Sequence, residues 1–357
     1  MRTTFALLLT LALSPLAAAQ SFDCKLAQSP REHAVCASRK LAALDKVLTS
    51  AYKSLRAQLS PESAALVQSD QREWLNWIDL VCPEHGKGAA ADMYRCLDEG
   101  YANRVRDLKQ VNRIGDAVFF TRAHFVYKAG ATTYEPVSDI DPGFGSGSVR
   151  WPQIDLKDPT KPDHSALAAW NDLAKARALQ LAARGIPFDD SISPGGTTDA
   201  TYNLAAANDR IVEIEFIDSV YGYGAAQPNT SYTSFLWWLE RNRELTVSDI
   251  FVLDSGWQQK LADFAVINLS SQPSLQNSLD ENALNQWLFA GPDRFLNAPR
   301  NWILSRGALT ITFAQSAIGP YTLGMPQARV RWEDLKPFLA KDLNPSTLPI
   351  RLPKPTR

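Results

Sequence analysis

A chain of 357 residues exceeds what one hydrophobic core usually serves, so two domains are the default expectation. Its 37 Lys and Arg nearly balance its 38 Asp and Glu, for a formal charge of −1. That leaves no basic patch for nucleic acid and no polybasic segment for anionic lipid.

Residues 1–20 open with Met1-Arg2-Thr3-Thr4, run apolar from Phe5 to Leu13 and close on Leu16-Ala17-Ala18-Ala19. A basic start, a short apolar stretch and small residues at a cut site predict a secretory signal peptide cleaved after Ala19. The alternative is an uncleaved anchor helix, which Pro15 and the small residues argue against. Cys24 lies too far from the small-residue cluster to be a lipid-modified first residue. No later stretch reaches the roughly 20 apolar residues of a membrane helix. The expected product is periplasmic or secreted, with no membrane insertion after cleavage.

The four cysteines, Cys24, Cys36, Cys82 and Cys96, all fall in the first 96 residues. In an oxidising compartment an even count reads as disulfides. A zinc site is the rival; no two cysteines stand at finger spacing and no His pair follows.

Residues 21–112 read as all-helical. Ser29-Pro30-Arg31-Glu32 is a helix start, with Ser as N-cap, Pro first in the helix and Glu able to reach back. Leu41, Leu44, Leu48, Tyr52, Leu55 and Leu59 form one apolar stripe. Ser60-Pro61-Glu62 restarts the chain, followed by Leu66, Val67, Trp74, Trp77, Ile78 and Val81. A last stripe holds Met93, Leu97, Tyr101, Val105 and Leu108. Helices ending near Leu59 and starting near Pro61 run antiparallel. Cys82 then lies beside Cys36, which favours Cys36–Cys82 with Cys24–Cys96; sequential pairing stays open.

Asp23-Cys24, Glu32, Cys36, Leu41-x-x-Leu44-Asp45, Tyr52, Gln71-Arg72-x-Trp74-Leu75, Asp79, Cys82, Cys96-Leu97 and Tyr101-x-x-Arg104 closely resemble the LprI family of lysozyme inhibitors. The resemblance covers nearly all of residues 22–110. One departure is visible: the family usually carries a basic residue before the Asp near its third cysteine, where this chain has Ile78.

From about residue 116 the period changes. Ala117 to Tyr127 reads as strand and Asp139 to Ser148 as loop. Trp151-Pro152-Gln153-Ile154 precedes a helix from about Asp163 to Arg184. Ile211 to Val220 alternates, which places Glu213 and Glu215 on the solvent face of a half-buried strand. Ser231 to Leu239 is the next strand, across the segment Tyr221 to Thr230. A helix around Gln258 to Leu269, a short helix at Trp287 to Phe289, a hairpin about Arg306-Gly307 and a strand at Arg329 to Trp332 follow, with a short helix ending near Ala340. The expected class is α+β with an antiparallel sheet over residues 117–343.

Pro228-Asn229-Thr230-Ser231-Tyr232, Arg243-Glu244-Leu245-Thr246, Asp249-Ile250-Phe251 and Gly319-Pro320-Tyr321-x-x-Gly324 resemble the C-terminal domain shared by RsiV-type anti-sigma ectodomains and PdaC-type peptidoglycan deacetylases. Residues 117–200 are similar to the small domain preceding it, which implies a subdivision near residue 200. The deacetylase of PdaC-type proteins is a separate domain, so the resemblance does not imply that activity.

No constellation demands catalysis. His33, His85, His124 and His164 are scattered outside any metal motif, and each reads as structural or exposed. Gly143-Phe144-Gly145-Ser146-Gly147 lacks the spacing of a nucleophile elbow and reads as a flexible loop. Tyr221-Gly222-Tyr223-Gly224 has no Lys and no helix after it, so it is not a phosphate loop. Paired carboxylates occur at Asp189-Asp190 and at Glu213 and Glu215. No metal or cofactor is called for. The aromatic hairpin is the likelier contact surface, with Tyr221, Tyr223, Tyr232 and Trp238 as partner-binding candidates; core packing is the alternative, and alternation turns one of Trp237 and Trp238 inward. The expected function is an extracytoplasmic binder of lysozyme or another cell-wall hydrolase that occludes its cleft. The alternatives are an envelope enzyme acting on peptidoglycan and a non-inhibitory peptidoglycan-binding module.

Overall fold

The computed structural model describes residues 21–352 apart from 86–89, 115–116, 130–142, 157–163, 184–185, 209, 223, 277, 281, 285 and 287–298. The signal segment and the short helix expected at Trp287 to Phe289 lie outside the described residues.

Four helices come first: α1 (Pro30–Ala37), α2 (Arg39–Arg56), α3 (Pro61–His85) and α4 (Ala90–Lys109). Their starts are set by serine caps. Ser29 and Glu32 close a capping box over Pro30, Ser38 caps Leu41, and Ser60 caps Ser63. The Ser38 cap changes the disulfides. The chain breaks there, so α1 is a separate element and Cys36 is not at the start of the long helix that meets α3. The bridges are Cys24–Cys36 and Cys82–Cys96, which corrects the expected Cys36–Cys82 pairing. The first ties the leading 3-10 turn to α1; the second closes the α3–α4 hairpin.

The α+β part holds a seven-stranded sheet: β1 (Asn112–Ile114), β2 (Ala117–Lys128), β3 (Gly145–Leu156), β4 (Thr197–Ala207), β5 (Ile211–Tyr221), β6 (Asn229–Trp238) and β7 (Arg243–Glu244), paired in that order. Only β3 and β4 run parallel, and α5 (His164–Ala183) makes the crossover between them, followed by α6 (Phe188–Ser191). The segment expected as loop up to Ser148 therefore differs: from Gly145 it is strand. Gly147 permits this, because a Cβ there would meet Ile192 at 2.6 Å and Phe188 at 2.9 Å.

Trp170, Ala174, Ala178 and Ala182 recur every four residues on α5 and pack with Val212, Ile214 and Phe216 of β5. The small ridge lets helix and sheet approach closely. The alternate residues of β5 face the other way. There a three-stranded sheet, β8 (Trp302–Ser305), β9 (Ala308–Thr312) and β10 (Gln327–Arg331), covers the large sheet together with α7 (Val247–Ile250) and α8 (Trp257–Ser270). Phe251 and Trp257 stack at 4.5 Å in that core, with Trp302 edge-on. Because both faces of β6 are covered, Trp237 and Trp238 are both buried, in opposite cores.

Open sheet edges are closed by helix side chains. β2 runs beyond β1, and its bare edge is met by α3: Asp70 accepts from Ala123 N–H (3.2 Å) and Glu73 from Phe125 N–H (2.6 Å), while Trp77 Nε1 donates to Val126 carbonyl (3.0 Å). On β10, Asn268 accepts from Arg329 N–H (2.8 Å), and Gln272 donates to Gln327 carbonyl (2.8 Å).

Candidate functional site

Many of the LprI-type motif residues are spent on the interior of the helical region, while Asp23 and Arg72 are exposed. Arg31 pairs with Asp79 at 2.8 Å and donates to Tyr101. Arg104 donates to Gln71 at 2.9 Å, and Trp74 meets Tyr101 edge-on at 5.2 Å. Ile78 is also interior; a Cβ on Gly100 would lie 2.5 Å from its Cδ1.

The helix–sheet seam holds ion pairs and a groove of about 720 Å³. Arg122 is gripped by Asp70 at 2.7 and 3.0 Å. Arg150 bridges Asp107 (2.8 Å) and Asp199 (2.6 Å). At the groove wall His124 Nδ1 lies 2.6 Å from Glu73 and Nε2 lies 2.8 Å from Asp189. Two carboxylates can be satisfied at once only by an imidazolium. The hydrogen bond to Glu73, joined by that to Asp189, outweighs burial and raises the His124 pKa to about 9. An imidazole donating from both nitrogens has no lone pair to accept a proton, so the trio is a clamp between α3, β2 and α6 rather than a general base. Sequence reading took His124 as isolated; Asp189 is 65 residues away and only the fold joins them.

The sheet–sheet seam is different. Glu213 and Glu215, expected on a solvent face, are 0% and 1% exposed. Alternation along β5 was read correctly, but β8 and β9 roof the face taken for solvent. Glu213 Oε2 accepts from Leu304 N–H at 3.0 Å. Glu215 Oε1 accepts from Tyr232 hydroxyl and Arg351, each at 3.2 Å. Burial, then the charge of Glu215, holds the Glu213 carboxyl well above the usual range. A pocket of about 300 Å³ opens against Glu215, Tyr232 and Thr312.

The four aromatic candidates part company. Tyr232 is half-buried in this network. Trp238 is 3% exposed, with Arg241 3.8 Å over its ring; enclosed by both, it is no free anchor, which corrects its place among the contact candidates. Tyr221 is 38% exposed at the β5 end. Tyr223 lies outside the described residues. His33 is exposed. Among the described residues no group of three or more His, Cys, Asp or Glu is placed to hold a metal ion, and no helix is long and apolar enough to cross a membrane.

Residues 24–110 match the lysozyme inhibitor LprI family. This LprI-type region spans the stapled helices. Residues 248–333 match DUF3298, described as a protein of unknown function, which is consistent with the RsiV/PdaC-type resemblance and carries neither name. Two solved DUF3298 proteins are similar in structure. The one from Bacteroides fragilis NCTC 9343 is 14% identical, covering 65% of this chain and 96% of that one, with a TM-score of 0.46. The one from Pseudomonas aeruginosa PAO1 is 15% identical with the same coverage and a TM-score of 0.42. No curated protein matches the chain.

Proposed function

We propose that the protein is an extracytoplasmic inhibitor that binds lysozyme or a related cell-wall hydrolase and occludes its cleft. The observation that carries this is the LprI match over the whole disulfide-stapled helical region. In this reading residues 1–20 are the export signal, 21–112 the partner-binding domain and 117–343 an α+β platform for it, acting in the periplasm or outside the cell. Most motif residues hold the interior, so contact falls to the outer helix surfaces with the exposed Arg72, the groove rim at Asp189 and Asp190, and Tyr221. Exposed carboxylates on that rim would speed encounter with a cationic hydrolase.

Turbidity clearance of cell walls by lysozyme, with and without the purified protein, tests this. Stoichiometric protein should halt clearance and co-purify with the enzyme; unchanged clearance without co-purification sinks the proposal. The buried pair Glu213 and Glu215 beside a pocket favours one alternative, an envelope enzyme, and clearance of walls by the protein alone would put it first.

A further inference from the structure

The sheet–sheet seam holds more carboxyl groups than cations. Glu213 and Glu215 share one face of β5, and the cation that reaches them is Arg351, 3.2 Å from Glu215 Oε1. It arrives on the C-terminal segment, which is laid along β4 by Leu352 N–H on Ala205 carbonyl at 2.7 Å. Glu213 is wholly enclosed, and its Oε1 has no hydrogen-bond partner among the described residues. A buried carboxyl oxygen without a partner calls for an explanation, and an absent ligand is one.

The pocket beside Glu215 has one-sided chemistry. Gln327 Nε2 donates to Thr312 (3.0 Å), Thr312 bonds Tyr232, and Tyr232 donates to Glu215. Gln272 has given its N–H groups to Asn268 and to the Gln327 carbonyl. The hydroxyl donors of this chain are already committed. What the wall still offers is acceptor capacity: carboxylate, hydroxyl lone pairs and amide oxygens. Leu275 and Leu323 supply its apolar side.

We propose that this pocket binds a primary alkylammonium group, with Glu215 as counter-ion and the Tyr232–Thr312–Gln327 chain holding that carboxylate in place. An ammonium has three donors and no acceptor, which matches the carboxylate and oxygen acceptors grouped around Glu215. About 300 Å³ accommodates an aminoalkyl chain. Arg351 shows that the fold already places a cation on this carboxylate. A second cation would balance the second carboxyl, so binding drives Glu213 to ionise and expel its proton. The chemistry has two sources, a lysine side chain of a protein partner and the free amine of a cell-wall peptide. The inference does not depend on hydrolase binding.

Calorimetric titration of the full chain with Nα-acetyl-lysine amide and with its neutral isostere, Nα-acetyl-norleucine amide, tests it. The lysine derivative should bind with a Kd of about 1 mM or below, and the isostere at least about tenfold more weakly. Buffers of different ionisation enthalpy should report proton release on binding. Glu215→Gln should abolish binding, and Glu213→Gln should keep binding while abolishing proton release. Equal binding of the two ligands by the wild-type chain, or none of either, overturns the proposal without any variant. Binding without proton release overturns the part given to Glu213. Acetylating the amines of a soluble cell-wall peptide, or the lysines of a hydrolase, identifies the source as the partner whose binding is lost; loss in neither overturns both sources. Hydrolase inhibition that survives when ligand selectivity fails sinks this inference alone, and the converse sinks only the proposed function.

Discussion

The two seams of the molecule treat buried charge in opposite ways. Between helices and sheet, three cations meet carboxylates, Arg122 on Asp70, Arg150 between Asp107 and Asp199, and His124 between Glu73 and Asp189, while buried Arg104 and Asp155 are held by the neutral Gln71 and Ser60. Between the two sheets, Glu213 and Glu215 meet one guanidinium. A balanced seam loses stability when a partner is removed, because the remaining charge stays buried. An underbalanced seam can gain stability when its surplus carboxyl is neutralised. The difference separates charge kept for joining two regions from charge in excess of what joining needs.

The strongest way to break the comparison is Arg150→Ala, which strands the buried carboxylate of Asp107 and releases the exposed Asp199. It should cost about 3–5 kcal/mol, read as a lower urea midpoint; a loss under 1 kcal/mol would show that the helix–sheet seam is not held by its charges. Glu213→Gln should act in the other direction. A carboxyl whose folded pKa is raised costs nothing below its unfolded value, near 4.5, and destabilises increasingly as pH climbs from there to the folded value. The variant should therefore match the wild type at pH 4 and exceed it at pH 8. A wild type that is equally stable at both values relative to the variant contradicts the assignment.

Much of this was legible in the chain. Ser-Pro pairs marked helix starts at Pro30 and Pro61, and alternation marked β5. The cysteine pairing was misread because the cap at Ser38 looks, in sequence, like one polar residue within a continuing stripe. The Ala-rich β4 is a strand by tertiary pairing with β5 rather than by its own propensity. Glu213 and Glu215 were misassigned because alternation shows that a strand has two faces, not whether both are roofed. The His124 clamp joins three elements far apart in sequence, and no local signal marks it.

His124→Gln sharpens the comparison at smaller scale. The raised pKa means that the clamp contributes fully below pH 6.5 and fades as pH rises through about 9. With a side chain 32% exposed, screening leaves about 1–2 kcal/mol of the shift. Thermal unfolding should show the wild type ahead at pH 6 and level with the variant at pH 10. The smallest expected change is Ser60→Ala, which removes both the α3 cap and the hydroxyl bonded to Asp155 at 2.5 Å. It should cost about 1 kcal/mol; an effect above 3 kcal/mol would make Asp155 a charge that the seam leaves uncompensated.

Placing α3 along the bare edge of β2 has a consequence for the order in which the chain matures. A long unpaired strand edge recruits other copies into aggregates. Here the guard precedes what it guards, since α3 is made and stapled to α4 before β2 emerges. Asp70 and Glu73 are therefore waiting when Ala123 and Phe125 arrive, and the exposed interval of that edge is short. The same arrangement leaves the β2 edge dependent on its leading helices for cover.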